Sequence, residues 1–155
     1  MTFAIACLVQ VQAAGIAKSD TKVKATATAS KVGADGKQTV SIVLAIEKPF
    51  YIYTNPVGAD LFEDNRTKVE FKAKEKLTAS VNYPPGKLKT EVLSKDTTIK
   101  YYTYADRVVL EAQVRRTLGD NSPLEITIDV NACHPGTGKD DGYCLAPGKV
   151  LLTVP

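Results

Sequence analysis

The sequence predicts an all-β fold, a sandwich or a barrel, and two observations support that prediction. Apolar residues recur at every second position in most segments, which is the period of a half-buried β-strand. Turn-forming residues separate these segments at intervals of about 8–12 residues, so roughly eight or nine strands are expected. The chain has 155 residues, which fits a single domain.

The predicted strands, in chain order, are 21–32, 39–46, 50–53, 68–74, 79–83, 99–104, 108–114, 124–130 and 150–154. Asp35-Gly36 is a hairpin signal and joins the first two strands. The segment 105–107 predicts a second hairpin, between 99–104 and 108–114. We expect the last two strands to lie centrally, with these side chains of 124–130 facing the core: Leu124, Ile126, Ile128 and Val130.

The first residues are typical of a secretory leader. A short apolar run at 3–11 precedes small residues at 13–17, and cleavage after Ala13 or Ala17 is consistent with signal-peptidase preferences. The run is too short to span a bilayer, which needs about 20 apolar residues. No Lys or Arg precedes it, so a buried N-terminal strand is the alternative. We expect a signal peptide at 1–17 and a mature domain at 18–155.

Charge and cysteine content exclude one class of partner and predict a disulfide. The net charge of +3 is spread along the chain without a basic block, which argues against nucleic acid as a partner. There are three Cys, and removal of the leader removes Cys7. An exported protein with two remaining thiols is expected to hold Cys133 and Cys144 as a disulfide.

The segment 131–147 joins two predicted strands and carries both cysteines. One interpretation is a loop staple that never opens, and the other is an exchangeable pair. Exchange requires an accessible sulfur and a stabilised leaving thiolate. His134 and Lys139 lower a neighbouring thiol pKa when they are charged, whereas Asp140 and Asp141 oppose that effect.

Other chemistries find less support in the sequence. A metal site built from the cysteines, His134 and the two aspartates is an alternative, but adjacent Cys and His rarely share one ion. With one His, no Ser-His-Asp or Cys-His-Asn set can be picked out. No glycine-rich phosphate loop follows a strand into a helix. We therefore expect no cofactor and no resident metal.

Taken in order, several segments resemble the N-terminal periplasmic domain of the DsbD thiol:disulfide interchange protein family. The matching segments are FYIYTNP at 50–56, YPPGK at 83–87, YTYADRV at 102–108, VNAC at 130–133, GYC at 142–144 and LLTV at 151–154. No single motif is specific, but the ordered set spans roughly residues 20–155.

This resemblance implies an immunoglobulin-like β-sandwich in the periplasm, or secreted, with a redox role. The exchanging pair would be Cys133 and Cys144, with Tyr51 and Tyr53 beside it. His134 and Tyr143 would complete the redox-site environment. Electrons would come from a membrane-embedded donor and pass to exported thioredoxin-like proteins.

Three features depart from the family pattern. The loop between the cysteines carries extra residues at 135–141. The segment 95–98, where the family has a shielding Phe, has no aromatic residue, so Tyr101 or Tyr102 would have to cover the disulfide. The chain stops after the last strand, so any electron donor is expected to be a separate protein.

Two functional hypotheses remain after these observations. The first is a thiol–disulfide exchange domain that cycles between dithiol and disulfide. The second is a non-enzymatic immunoglobulin-like binding module with a structural disulfide. In the second, these tyrosines would be contact residues rather than a redox environment: Tyr51, Tyr53, Tyr101, Tyr102 and Tyr143. Strand packing is the ordinary role of such residues.

Overall fold

A computed structural model describes residues 16–155. Most of the predicted leader, 1–17, lies outside these residues. Two short 3-10 turns occupy Ser19–Lys22 and Asp60–Asn65. The strands are β1 (Val23–Ala29), β2 (Lys37–Ile46), β3 (Tyr51–Tyr53), β4 (Lys68–Lys72), β5 (Leu77–Asn82), β6 (Lys87–Ser94), β7 (Thr97–Ala105), β8 (Arg107–Arg116), β9 (Leu124–Val130), β10 (Ala132–His134), β11 (Tyr143–Cys144) and β12 (Gly148–Val154).

The strands form three antiparallel sheets with the orders β1-β2-β8-β5, β11-β10-β3-β7-β6 and β12-β9-β4. The predicted all-β, immunoglobulin-like β-sandwich is confirmed. The turn at 33–36 joins β1 and β2 as the hairpin signal predicted, and Gly36 has a φ of 78°, a backbone conformation that side chains rarely adopt. No helix in residues 16–155 is long and apolar enough to cross a membrane.

The main core lies between the sheets and is built from alternate residues of several strands. The alternation predicted for β9 is confirmed, because all four of its inward side chains are buried. Burying each such aliphatic side chain contributes about 1.5–3 kcal/mol. The largest fully buried aliphatic side chains are Ile42, Leu44, Ile52, Leu110, Leu124, Ile126 and Ile128.

Two expectations about strands were wrong, and three strands were not predicted: β6, β10 and β11. Segment 105–107 is not a hairpin turn, because β7 pairs with β3 and β6 whereas β8 pairs with β2 and β5; the chain crosses between sheets there, with Asp106 at a φ of 59°. Strand β6 was missed, because nearly all of its side chains are exposed and show no apolar alternation. Strand β9 is central in its sheet, but β12 is an edge strand.

Strand β3 positions the candidate site. It lies between β10 and β7 in the middle of the five-stranded sheet. Because side chains alternate along a strand, Ile52 points into the main core while Tyr51 and Tyr53 point to the other side. There they form a second, smaller cluster of buried residues with Tyr101 and Cys133. Tyr51, Tyr53 and Cys133 therefore lie on the outer face of the sheet, whereas His134 and Tyr143 pack against Phe50 of the main core.

Candidate functional site: a cross-strand disulfide beside an aromatic groove

Cys133 and Cys144 form a disulfide between two neighbouring short strands. They are directly opposite in the antiparallel register of β10 and β11, with a sulfur–sulfur distance of 2.00 Å and a Cα–Cα distance of 3.9 Å. The segment thus forms a tight hairpin, with strand β11 at the edge of the five-stranded sheet. Its inner strand, β10, is fixed on its other side by pairing with β3, where Cys133 is opposite Tyr51.

Glycine permits the bend that brings the cysteines together. Gly136 has a φ of 73°, and a Cβ there would lie 2.7 Å from the Asp140 backbone oxygen. The Thr137 backbone N–H donates to that same oxygen at 3.2 Å. A side chain at Gly136 would therefore strain the backbone and force the loop open.

The two sulfur atoms have different surroundings. The Cys133 residue is 1% exposed, whereas Cys144 is exposed on the edge strand. An attacking thiolate must approach a disulfide sulfur along an open path. The Cys144 side of the disulfide is therefore the more accessible one.

Two polar groups contact the buried sulfur. The Tyr53 hydroxyl lies 3.6 Å from Cys133 Sγ, and Asn131 Oδ1 lies 3.5 Å from it. A disulfide sulfur carries no hydrogen, so in the oxidised state Tyr53 is the only one of the two that can donate. After reduction, the Tyr53 hydroxyl can donate to a Cys133 thiolate, whereas Asn131 can accept from a Cys133 thiol. The Cys133 sulfur therefore has a hydrogen-bond partner both as a thiol and as a thiolate.

Aromatic rings form the floor beside the disulfide. The Tyr53 ring lies 5.9 Å from Tyr51, 5.7 Å from Tyr101 and 5.3 Å from Phe62, measured between centroids. Burial raises the pKa of Tyr53 and of Tyr101 well above the ordinary value, and the neighbouring Tyr51 raises both further. These hydroxyls stay protonated in the folded protein and remain hydrogen-bond donors.

A groove of about 660 Å³ runs along this floor. The β6 edge forms one wall, where Lys89 Nζ lies 3.4 Å from the centroid of the Tyr51 ring and Glu91 accepts a 3.2 Å hydrogen bond from the Tyr101 hydroxyl. Desolvation, with the charge of Lys87, lowers the pKa of Lys89, and Glu91 opposes that shift. The groove is lined by Tyr51, Tyr53, Phe62, Lys89, Thr90, Glu91, Tyr101, His134, Pro135, Asp141, Gly142, Tyr143 and Cys144.

His134 and Tyr143 form the next pair along the hairpin. Their rings are stacked at 5.1 Å, and the edge of Phe50 meets His134 at 5.5 Å. His134 Nδ1 accepts a hydrogen bond from the Gly136 backbone N–H at 3.2 Å. This bond joins the His134 ring to the backbone of the loop between the cysteines.

The loop residues considered at the sequence level do not form a metal site. Within residues 16–155, no group of three or more His, Cys, Asp or Glu side chains is placed to hold an ion. Asp140 Oδ2 instead accepts a hydrogen bond from the Thr137 hydroxyl at 3.2 Å. Of the two shielding candidates, Tyr101 lies at the site, whereas Tyr102 is 43% exposed and packs its ring near Gly58.

Sequence reasoning missed three residues at this site. Phe62 comes from the second 3-10 turn, and nothing in the local pattern ties it to the cysteines. Asn131 lies two positions before Cys133, so proximity alone was the available signal. Ser19 is fully buried and hydrogen-bonds Ala132 in β10 and Ala146 just after β11, from more than a hundred residues away. Its sequence context carries no signal for this role.

Comparisons with known proteins support the fold. No family model matches the chain. No curated protein matches it either. Among solved structures, it is similar to the N-terminal periplasmic domain of ScsB from Proteus mirabilis, with a TM-score of 0.53 and 11% sequence identity over 89% of this chain. The chain spans about half of that structure, 49% of its length. At this identity the likeness shows the fold alone: the chain shares a β-sandwich fold with that domain.

Proposed function

We propose that residues 18–155 are an exported thiol–disulfide exchange domain that relays reducing equivalents through Cys133 and Cys144. The observation that carries this proposal is the unequal exposure of the two cysteines: Cys144 is exposed on an edge strand, and Cys133 is buried beside a hydroxyl donor. A disulfide that only stabilises the fold does not require a cysteine that is exposed and lines a groove. The ScsB structure with a similar fold is a periplasmic domain, which is consistent with this role.

The exchange proceeds in two balanced steps. A partner thiolate attacks Cys144 Sγ, the bond between the cysteines breaks, and the electron pair leaves on Cys133 Sγ as a thiolate. A second partner thiol, once deprotonated, attacks the mixed disulfide at the partner's sulfur and releases the Cys144 thiolate. The two thiolates of the domain take up protons, so the domain is reduced by two electrons and the partner dithiol becomes a disulfide. The reverse sequence reduces an exported acceptor.

The partners proposed are a membrane electron donor and exported thioredoxin-like proteins. Each carries a reactive dithiol or disulfide and must bring one sulfur to the edge of the sheet. The groove beside Cys144 has β6 as one wall and offers its aromatic side chains for such contacts. The leader at 1–17 would deliver the domain, and mass spectrometry of exported protein tests this delivery by showing whether its N-terminus lies near Lys18.

The competing function is a binding module with a structural disulfide. In that hypothesis five tyrosines were contact residues, but Tyr51, Tyr53 and Tyr101 are buried, which leaves Tyr102 and Tyr143 exposed. Burial weakens the contact interpretation for three of the five. The exposed Cys144 residue gives the exchange hypothesis a feature that the binding module does not use.

Trapping of mixed disulfides tests the proposal. Incubated with a thioredoxin-like protein that keeps one active-site cysteine, activated as a mixed disulfide with a small thiol, the Cys133→Ala variant should displace that small thiol and accumulate a protein–protein mixed disulfide through Cys144, because neither protein then holds a second thiol to release it. The Cys144→Ala variant, whose remaining thiol is buried, should accumulate far less. The wild-type reduction potential should lie above about −300 mV, the region of structural disulfides. A potential below that value, together with no trapped complex for either variant, would refute the exchange function and favour the binding module.

A further inference from the structure

Ser19 bridges strand β10 and the residues that directly follow β11. Its hydroxyl accepts a hydrogen bond from the Ala132 backbone N–H at 2.8 Å and donates one to the Ala146 backbone oxygen at 2.8 Å. Its own backbone N–H donates to that same oxygen, also at 2.8 Å. Ala132 immediately precedes Cys133, and Ala146 is two residues after Cys144. The bridge therefore closes the base of the disulfide hairpin.

The hydroxyl takes the place of a ladder hydrogen bond. The Leu145 backbone N–H donates to the Ala132 oxygen at 2.9 Å, as expected for an antiparallel pair. In a regular ladder the Ala132 N–H would return a bond to Leu145, but it donates to Ser19 instead. Ser19 is 0% exposed, so no water competes for these groups. The N-terminal segment is thus built into the hairpin.

We infer that Ser19 is a positioning residue that keeps the two thiols opposite each other after the disulfide is reduced. Reduction removes the covalent link between β10 and the two-residue strand β11. The Ser19 bridge then remains to hold the strands in register. It raises the effective concentration of one thiol at the other, which favours disulfide formation and makes the reduction potential more negative.

The effect on the potential separates positioning from general stabilisation. Loss of the hydroxyl leaves the Ala132 N–H without its partner in both redox states, and that cost cancels. In the oxidised state, the disulfide still aligns the strands. In the reduced state, the strands gain freedom, so the dithiol form becomes relatively more favourable. The biological importance of this shift rests on the proposed exchange function, but the shift itself is measurable without a partner.

The experiment is a redox titration of Ser19→Ala in glutathione buffers. We expect the equilibrium constant for disulfide formation to fall about tenfold, which corresponds to about 30 mV toward a more oxidising potential for a two-electron couple. The matched control is Thr21→Ala, which removes a hydroxyl bonded to the Lys18 oxygen at 2.6 Å in the same 3-10 turn but away from the hairpin. The control should keep the wild-type potential.

Two results would overturn the inference. The first is a Ser19→Ala potential equal to that of the wild type or of the Thr21→Ala control, even where its melting temperature falls, because equal destabilisation of both redox states is ordinary structural support. The second is measured in wild-type protein and needs no variant. In the dithiol state, the Ala132 amide should exchange its hydrogen much more slowly than the Gly142 amide in the adjoining loop, and equal rates would refute the bridge.

The redox titration of Ser19→Ala and the test of the exchange function have separate outcomes, so either proposal can be refuted without the other. A wild-type potential below about −300 mV without trapped complexes would refute the exchange function. The difference between Ser19→Ala and Thr21→Ala would still report whether Ser19 positions the thiols. Conversely, an exchange-active domain with an unshifted Ser19→Ala potential would retain its function and lose only the bridge.

Discussion

Substitution of Tyr53 by Phe should slow reduction of the disulfide without unfolding the site. The change removes the hydroxyl that lies 3.6 Å from Cys133 Sγ and retains the ring that packs on Phe62 and Tyr101. A hydrogen bond to a charged group contributes about 1.5–3 kcal/mol, and the length of this contact places it at the lower end. A loss of about 1.4 kcal/mol raises the pKa of the Cys133 thiol by about one unit.

A leaving thiol with a higher pKa departs more slowly. We therefore expect the rate of reduction by dithiothreitol at pH 7 to fall about three- to tenfold. Quenched-flow measurements give this rate directly, because the alkylating reagent that stops the reaction also adds mass to each free thiol. The pKa of Cys133 follows from alkylation rates against pH in the Cys144→Ala variant, with and without Tyr53→Phe.

The matched control is Tyr101→Phe. It removes a hydroxyl from the same aromatic floor, but that hydroxyl donates to Glu91 at 3.2 Å rather than to sulfur. The control should be reduced at the wild-type rate. Equal rates for Tyr53→Phe and wild type, or an equal slowing in both variants, would show that the Tyr53 hydroxyl does not stabilise the leaving sulfur.

Three further predictions concern stability and pH. Ile128→Ala in β9 should cost about 2–5 kcal/mol in urea unfolding, and a cost below about 1 kcal/mol would contradict its central place in the core. Hydrogen bonds from the Ser122 hydroxyl and backbone N–H hold the pKa of Asp120 well below 3.8, so the contribution of Asp120 to stability should be present above pH 3.8 and decline as the pH falls below it. In thermal melts, Asp120→Asn should weaken this loss of stability at acid pH. An unchanged loss would refute the assignment. Burial raises the pKa of Tyr104 to about 12, so stability should be full below pH 10 and decline between pH 10 and 12. Tyr104→Phe should make this decline less steep. An unaltered slope would contradict the role given to Tyr104.

The sequence was sufficient for the fold class because the strongest strands are amphipathic. The alternation from Leu124 to Val130 was readable, since each apolar side chain meets the core. Strand β6 was not readable, because it is an edge strand exposed on both faces and pairs only with β7. The crossing at Asp106 also escaped prediction, because the same turn-like residues serve a hairpin and a change of sheet.

The part of the candidate site that depends on neighbouring residues in the sequence was predictable. Cys133 and Cys144 were expected to pair, and they do. The choice between Tyr101 and Tyr102 needed the strand register, because neighbouring residues on a strand face opposite sides. Phe62 and Ser19 were out of reach, since their contacts join segments that are distant in sequence and have no shared motif.

The unequal burial of the two sulfurs also bears on chemical damage in the reduced state. Peroxide or another small oxidant meets the exposed Cys144 first and converts its thiol to a sulfenic acid. The Cys133 thiol lies directly opposite on the adjacent strand, so it condenses with that sulfenic acid, releases water and restores the disulfide. This reaction intercepts Cys144 before it reaches the sulfinic and sulfonic acids that cannot be reversed. The hairpin thus converts an oxidised Cys144 into the disulfide that the structure shows.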